Sequence, residues 1–477
     1  MTLRRPRALL WTAIAAYSVG FAALSVLRQR SFQTGRFDLG NMVQAVYSTA
    51  HGHFLEMTSL HGDQISRLAA HVDPILALFA PLWWIWSSPD MLLTVQAIAI
   101  ALGALPVYRL AGRHLGSERA ALGFALAYLL YPPVEWLTLN EFHPVALAAP
   151  LLLWAIVLLD EDRPLAFCGV GLLAVATKEE VGLVVAMLGL WYWLRRRRTA
   201  WGIGIAVAGA VASAVAIGVI VPHFNAGAHS AFYGRYASVG GSPTGILRTA
   251  LTDPGHVLGI AFDHAGVAYL AELLLPLLLL SVAAPLLALV ALPELAINLL
   301  SATPTQTSIH FHYTAAIVAP FVAAAVVGAG RLAGERRRSP EAFAVAAVAG
   351  VVVGNYLLGP LPVWRFVPGG QRLQAQAQQV SAHDRALAEA VAIVPPGAAV
   401  AASNDLGAHL SARRRVLSFP YLQDATWVAV DERSPGYADR VAPLPYATRI
   451  AWLRRNPAWK LVFERDGALV FHRVGLP

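Results

Sequence analysis

The sequence predicts an α-helical polytopic membrane protein with a small C-terminal α/β domain outside the membrane, and three observations lead there. Of 477 residues, 57% are hydrophobic and 13% charged, with a mean hydropathy of +0.55, whereas a soluble chain carries about a quarter charged residues. Apolar runs long enough to span a bilayer recur from residue 8 to about residue 360. After Pro360 the composition turns polar and strand-like. An ordinary globular enzyme and a disordered chain are thereby excluded, and 38 Gly without a three-residue period exclude collagen. The single cysteine, Cys168, has no partner for an intrachain disulfide.

The 36 Lys+Arg exceed the 28 Asp+Glu to give +8. These cations gather at the ends of apolar runs, which is the positive-inside pattern and not a nucleic-acid footprint. Arg4, Arg5 and Arg7 precede the run Ala8–Leu27, which no small-residue cleavage site closes, so it reads as a retained first span with a cytoplasmic N-terminus. Arg109, Arg113 and Arg119, then Arg195–Arg198, then Arg336–Arg338 mark further cytoplasmic turns. Between them the apolar runs fall at 8–27, 91–110, 118–134, 144–159, 164–177, 181–194, 200–222, 266–283, 284–300, 313–330 and 341–360, about eleven spans in all. The runs 164–177 and 181–194 are short, a length tolerated where helices line an enclosed cavity. The run 74–87 either dips in and returns or crosses.

This layout divides the chain into a transmembrane domain, 1–360, and an extracytoplasmic α/β domain, 361–477. Loops 28–73, 135–143, 178–180, 223–265 and 301–312 fall on the outer side of the membrane. In the second domain 371–379 is polar, 381–394 is an amphipathic helix with Ser381 as N-cap, and strands are expected at 398–403, 416–419 and 427–431. Runs 460–464 and 468–472 flank Asp466-Gly467, a hairpin signal.

Chemistry-bearing residues crowd the outer loops. Asp38 follows the first span and is either a base or cation holder, or the N-cap of a helix over 39–50. His71-Val72-Asp73-Pro74 and Glu141-Phe142-His143-Pro144 share a form, a His and an acid two apart before a helix-opening Pro. Capping by Asp73 explains part of the first. Lys178-Glu179-Glu180 tips the short hairpin, where ionisable groups at membrane depth are functional suspects unless they snorkel to water. His310 and His312 alternate before Tyr313 without the spacing of a zinc signature, so no metal site is read here. Arg235, between Tyr233 and Tyr236 and after His223 and His229, offers a planar fork suited to phosphate, or is an interfacial arginine. Glu294 and Asn298 share a helix face and suit an interhelical hydrogen bond. There is no Walker lysine loop, HExxH or GxSxG elbow, which sets aside ATP-driven transport and zincin proteolysis.

The succession Phe37-Asp38-Leu39-Gly40…Gln44, His71…Pro74, Gln96, Gly103–Tyr108, Tyr131-Pro132, Glu141–Pro144, Lys178–Glu180, Pro293-Glu294, His312-Tyr313, then 398–403 and 415–420 resembles the bacterial membrane family domain of unknown function 2079. Met42-Val43 stands where that pattern has an aromatic and an acid. The family in turn resembles GT-C glycosyltransferases. The resemblance implies an inverting transfer from a polyprenyl-phosphate-linked sugar, with the donor lipid in a groove between helices and the acceptor left open. Asp38 maps to the first-loop acid, and the catalytic set is completed by Glu141 and His143. His71, Asp73, Lys178, Glu179, Glu180, Arg235, His312 and Tyr313 would bind substrate. The cofactor is left open, a divalent cation being one candidate. The alternative is a transporter or lipid-binding scaffold with the same cavity and no chemistry; no internal repeat supports it.

Overall fold

The computed structural model describes residues 4–228, 230–369, 379–440 and 445–475. His229 and all but the last residue of the polar run 371–379 lie outside the described residues. Among the described residues five helices are long and apolar enough to cross a membrane: Arg5–Arg30, Pro89–Leu115, Thr199–Phe224, His312–Arg336 and Pro340–Leu358. The count reaches seven if two bent pairs, Glu118–Leu129 with Pro132–Leu139 (47°) and Pro254–Ala261 with His264–Leu274 (60°), are each one span. Eleven full spans are therefore not found. The expected runs 144–159, 164–177 and 284–300 are apolar helices, but shorter than the roughly 20 residues a straight crossing needs. The run 266–283 fails differently. Pro276 cannot continue the helix that ends at Leu274, and Leu278 and Leu279 both take positive φ (52° and 56°) before a new turn at Leu280. Residues 74–85 form two short turns of helix, too short to cross about 30 Å of hydrocarbon.

The Ala-rich helix Ala315–Arg336 runs through the middle of the bundle, buried along most of its length, because small side chains let neighbouring backbones approach. Thr199–Val215 lies at the periphery, with Val207 and Val211 more than half exposed, as a lipid-facing surface would be.

Polar contacts sort the two ends of the bundle. At one end Arg113 and His114 meet Asp160, Arg109 meets Glu161, Arg198 meets Asp162 and Ser117 meets Glu341. At the other end the first loop packs against a small sheet domain. That loop contains a hairpin the sequence reading missed, β1 (Glu56–Thr58) and β2 (Gln64–Ser66). The C-terminal sheet comprises β3 (Val400–Ala402), β4 (Val416–Ser418), β5 (Trp427–Asp431), β6 (Trp459–Arg465) and β7 (Ala468–Arg473), in the order β4-β3-β5-β7-β6. β3 is parallel to β4 and β5, while β7 is antiparallel to β5 and β6. Asp466 and Gly467 close the β6–β7 hairpin with φ of 48° and 83°, the left-handed pair a tight hairpin turn requires. Helix Ala382–Ile393 covers the sheet and starts in a capping box between Ser381 and Asp384.

Arg36 fastens loop to sheet. Its buried guanidinium donates to the carbonyl of Val416 (3.1 Å from Nε, 2.8 Å from Nη2), to Ser418 Oγ (2.6 Å) and to the carbonyl of Thr58 (2.7 Å). Asn404 Oδ1 accepts from the Phe37 N–H at 3.2 Å, and a Cβ at Gly40 would stand 2.7 Å from Ser411 Oγ. The turn Arg36–Gly40 is thus held from the sheet side.

Candidate functional site

Asp38 projects from that turn, a single wide helical turn between the first span and helix Asn41–Ala50. It makes no cap hydrogen bond to either element, so helix capping does not account for it. Its side chain stays 52% open, and Oδ1 lies 3.3 Å from His143 Nε2. His143 Nδ1 lies 2.8 Å from the Asn140 carbonyl, which can only accept, so Nδ1 carries a proton. A proton must then also lie between Nε2 and the Asp38 carboxylate. The pair holds it as carboxylate and imidazolium, or as acid and imidazole, and is competent to exchange it with a third group. Against the crowding of its setting, the hydrogen bond and charge of His143 hold the Asp38 carboxyl below the usual range.

Glu141 works on the same turn from the helix side. Its carboxylate accepts from the Gly35 N–H (3.1 Å) and the Leu39 N–H (2.9 Å). Burial first, and the Asp38 charge second, push its carboxyl up to about 8. Its occupied oxygens make it a seat for the Asp38 turn. Fully buried Gln96 fixes the segment behind it, donating to the Glu141 carbonyl and accepting from the His143 N–H at 3.0 Å.

The His143 ring stacks on His312, with centroids 3.8 Å apart and planes 19° apart. Asn140 sets this second imidazole too, its Oδ1 accepting from the His312 N–H at 3.0 Å and from Nδ1 at 3.2 Å. One asparagine therefore fixes both rings, His143 by its main chain and His312 by its side chain. Tyr313 continues the stack (4.2 Å from His312), and Lys178 Nζ lies 5.7 Å from the Tyr313 ring centroid.

Beyond Tyr313 opens a groove of about 290 Å³ whose walls are mainly apolar, including Leu183, Ile217, Val221, Ile246 and Ile297. Its polar lining contains most of the expected binding residues: His71, Lys178, Glu179, Glu180, Arg235 and Tyr313. Lys178 pairs with Glu180 at 2.5 Å. Glu179 instead accepts from His71 Nδ1 (2.8 Å) and the Val72 N–H (2.9 Å). The His71 ring stacks on Phe232 (4.8 Å), and the Arg235 guanidinium lies 4.4 Å from the same ring. Among the described residues no carboxylate pairs with Arg235, which leaves its planar fork free beside the groove.

Asp73 does not line the groove. It is buried, caps nothing at Pro74, and is taken by Arg67 through Nε (2.9 Å) and Nη2 (2.8 Å). Asn298 makes the expected interhelical bonds, to the Tyr269 hydroxyl (3.1 Å) and the Tyr313 carbonyl (2.9 Å), while Glu294 Oε2 has no partner. Sequence reasoning missed Asn140, Phe232, Arg36 and Arg67. Only Asn140 carried a local signal, standing directly before Glu141. Among the described residues no three His, Cys, Asp or Glu side chains converge as metal ligands. The donor set thus does not fit a divalent cation, and no step below runs through one.

Fold and site together define a polytopic membrane protein with an acid–histidine site where helices meet a terminal sheet domain. The chain belongs to the family of predicted membrane proteins DUF2079, whose model matches residues 28–469. No curated protein matches it. Among solved structures, a crystal structure of ArnT from Cupriavidus metallidurans in the apo state aligns over 96% of this chain and 98% of its own, at 13% identity and a TM-score of 0.49.

Proposed function

We propose that the chain is a glycosyltransferase moving a sugar from a polyprenyl-phosphate-linked donor to an acceptor at the outer face of the membrane. The observation that supports this reading best is the Asp38–His143 pair, joined through the stacked His312 and Tyr313 rings to an apolar groove that carries Lys178 and Arg235. The groove walls suit a lipid tail. The Lys178 ammonium and the Arg235 fork suit the phosphate that must leave with the bonding electrons of the sugar C1–O bond. The acceptor hydroxyl attacks C1 while its proton passes to Asp38 in the carboxylate form of the pair, with the shared proton on the His143 imidazolium, the role of a general base within reach of bulk water. Glu141 and Asn140 act by position, holding the acid's turn and the two imidazoles. His71, Glu179 and Phe232 shape the groove mouth, while Asp73 serves through Arg67 as scaffold.

Asp38→Asn keeps the size and loses the base. In purified protein supplied with a polyprenyl-phosphate sugar, turnover should fall at least a hundredfold, within the range general-base removal costs, while donor binding persists. Turnover at the unmodified rate would remove Asp38 from the chemistry. Uptake of an unaltered lipid into proteoliposomes would favour a transporter instead.

A further inference from the structure

The opposite end of the bundle has a second cavity, of about 280 Å³, lined by Arg113, His114, Asp160, Arg195 and Arg196. Asp160 is 3% exposed and is the only carboxylate lining it. It fixes Arg113 Nε and His114 Nε2, each at 3.2 Å, while its main-chain carbonyl accepts from Arg113 Nη2 (3.4 Å) and from Arg196 Nη2. One carboxylate thus organises a guanidinium and an imidazole, its main-chain carbonyl takes a second guanidinium, and Arg195 adds a third with no carboxylate partner among the described residues. The cavity keeps a surplus of positive charge, with the Arg113 and Arg196 guanidiniums held in place and Arg195 beside them. Leu194 and Trp201, on either side of the arginine run, stay 41% and 39% open, the apolar and aromatic surface expected at a membrane interface.

We infer that this cavity binds a phosphate anion, most simply the headgroup phosphate of an anionic lipid in the adjoining leaflet. Guanidinium forks match phosphate oxygens two at a time, and basic pockets between membrane helices capture anionic headgroups. The inference is independent of the chemistry proposed for the other end. A phosphate bound here would bridge helices Ala104–Leu115, Ala148–Asp160 and Val181–Arg196, which otherwise meet around Asp160 with unbalanced charge.

Native mass spectrometry of the full chain, titrated with phosphatidylglycerol or with phosphatidylcholine, tests it. The expected result is a phosphatidylglycerol adduct that R195Q/R196Q weakens about tenfold, the loss of a charge-assisted hydrogen bond, with phosphatidylcholine adducts unchanged. R336Q, an exposed arginine at the same end, should leave that adduct intact. If R195Q/R196Q does not fold, R195Q alone decides, since that side chain makes no contact the fold needs. A melting temperature raised by millimolar inorganic phosphate in the wild type and not in the variant, without lipid preference, assigns the same site to a soluble anion. Equal phosphatidylglycerol binding by all variants, or an equal loss in R336Q, overturns the site.

Discussion

Replacing Arg36 by lysine keeps the charge and removes the fork. The arginine reaches three acceptors at once, the Val416 carbonyl, Ser418 Oγ and the Thr58 carbonyl. An ammonium on a single tip serves one of them well. Two charge-assisted hydrogen bonds are then lost at roughly 1.5–3 kcal/mol each, and incomplete relaxation leaves a net cost of about 3–5 kcal/mol, as for breaking a buried charged contact. That cost falls on the seam between the first loop and the sheet. Hydrogen exchange in residues 36–66 and 404–418 should accelerate by about a hundred- to a few-thousandfold, while the central helix Ala315–Arg336 keeps its protection. R36M should be milder at the cation's own expense, since it removes the burial of a charge, yet it strands the same carbonyls. Exchange in R36K within threefold of wild type across both segments would refute the claim that this guanidinium holds the Asp38 turn to the sheet.

Lys178→Met should cost about ten- to a hundredfold in donor affinity if its ammonium meets the phosphate; the control is K178M/E180Q, because Glu180 and not Glu179 is the partner it would strand. A double variant that binds donor normally would make the hairpin tip a structural pair. Burial pushes Asp405 up to about 7, so the folded sheet domain holds a proton that the unfolded chain has released above the ordinary carboxyl value. Stability from this group is full at low pH and fades as pH rises from about 4 through 7. D405N keeps the acceptor for Ser403 and the Leu406 N–H and should flatten the melting temperature between pH 5 and 7.5, as fluorescence melts would report. For orientation, a cysteine at Ser434, exposed on the sheet domain, should label with an impermeant thiol reagent in intact spheroplasts lacking Cys168, and one at Ser339 should not. The reverse pattern would invert the proposed topology.

What the sequence disclosed was whatever local order encodes. Apolar runs placed the helices, Pro at the first helical position marked the turns at 74 and 144, and Asp466-Gly467 gave the last hairpin. The two His–acid segments led to His71, Glu141 and His143, the acid after the first span to Asp38 and the short hairpin to Lys178; His71 and Lys178 line one groove, and Asp38 and His143 connect to it through the stacked His312 and Tyr313. Contacts between distant segments were invisible. Arg36 meets Val416 across 380 positions, Phe232 joins His71 to Arg235 only once the long loop folds back, and Asp73 looks like a cap until Arg67 is seen beside it. The eleven-span layout is not matched by eleven long helices among the described residues, because hydropathy reports what a segment can be buried in and not how far it runs before a proline or a left-handed residue turns it.

The fastening of the Asp38 turn also sets an order of assembly. Arg36 precedes His143, His312 and Tyr313 along the chain, and all four precede the sheet. The acceptors for Arg36 on Val416 and Ser418 come close to the end of the chain. Until that strand is made and joined to its sheet, the acid has its partners on the helix side alone. The sheet domain is thus the second half of the acid's seat: without residues 404–418 the Asp38 turn keeps Glu141 and His143 but loses the contacts of Arg36 and Phe37.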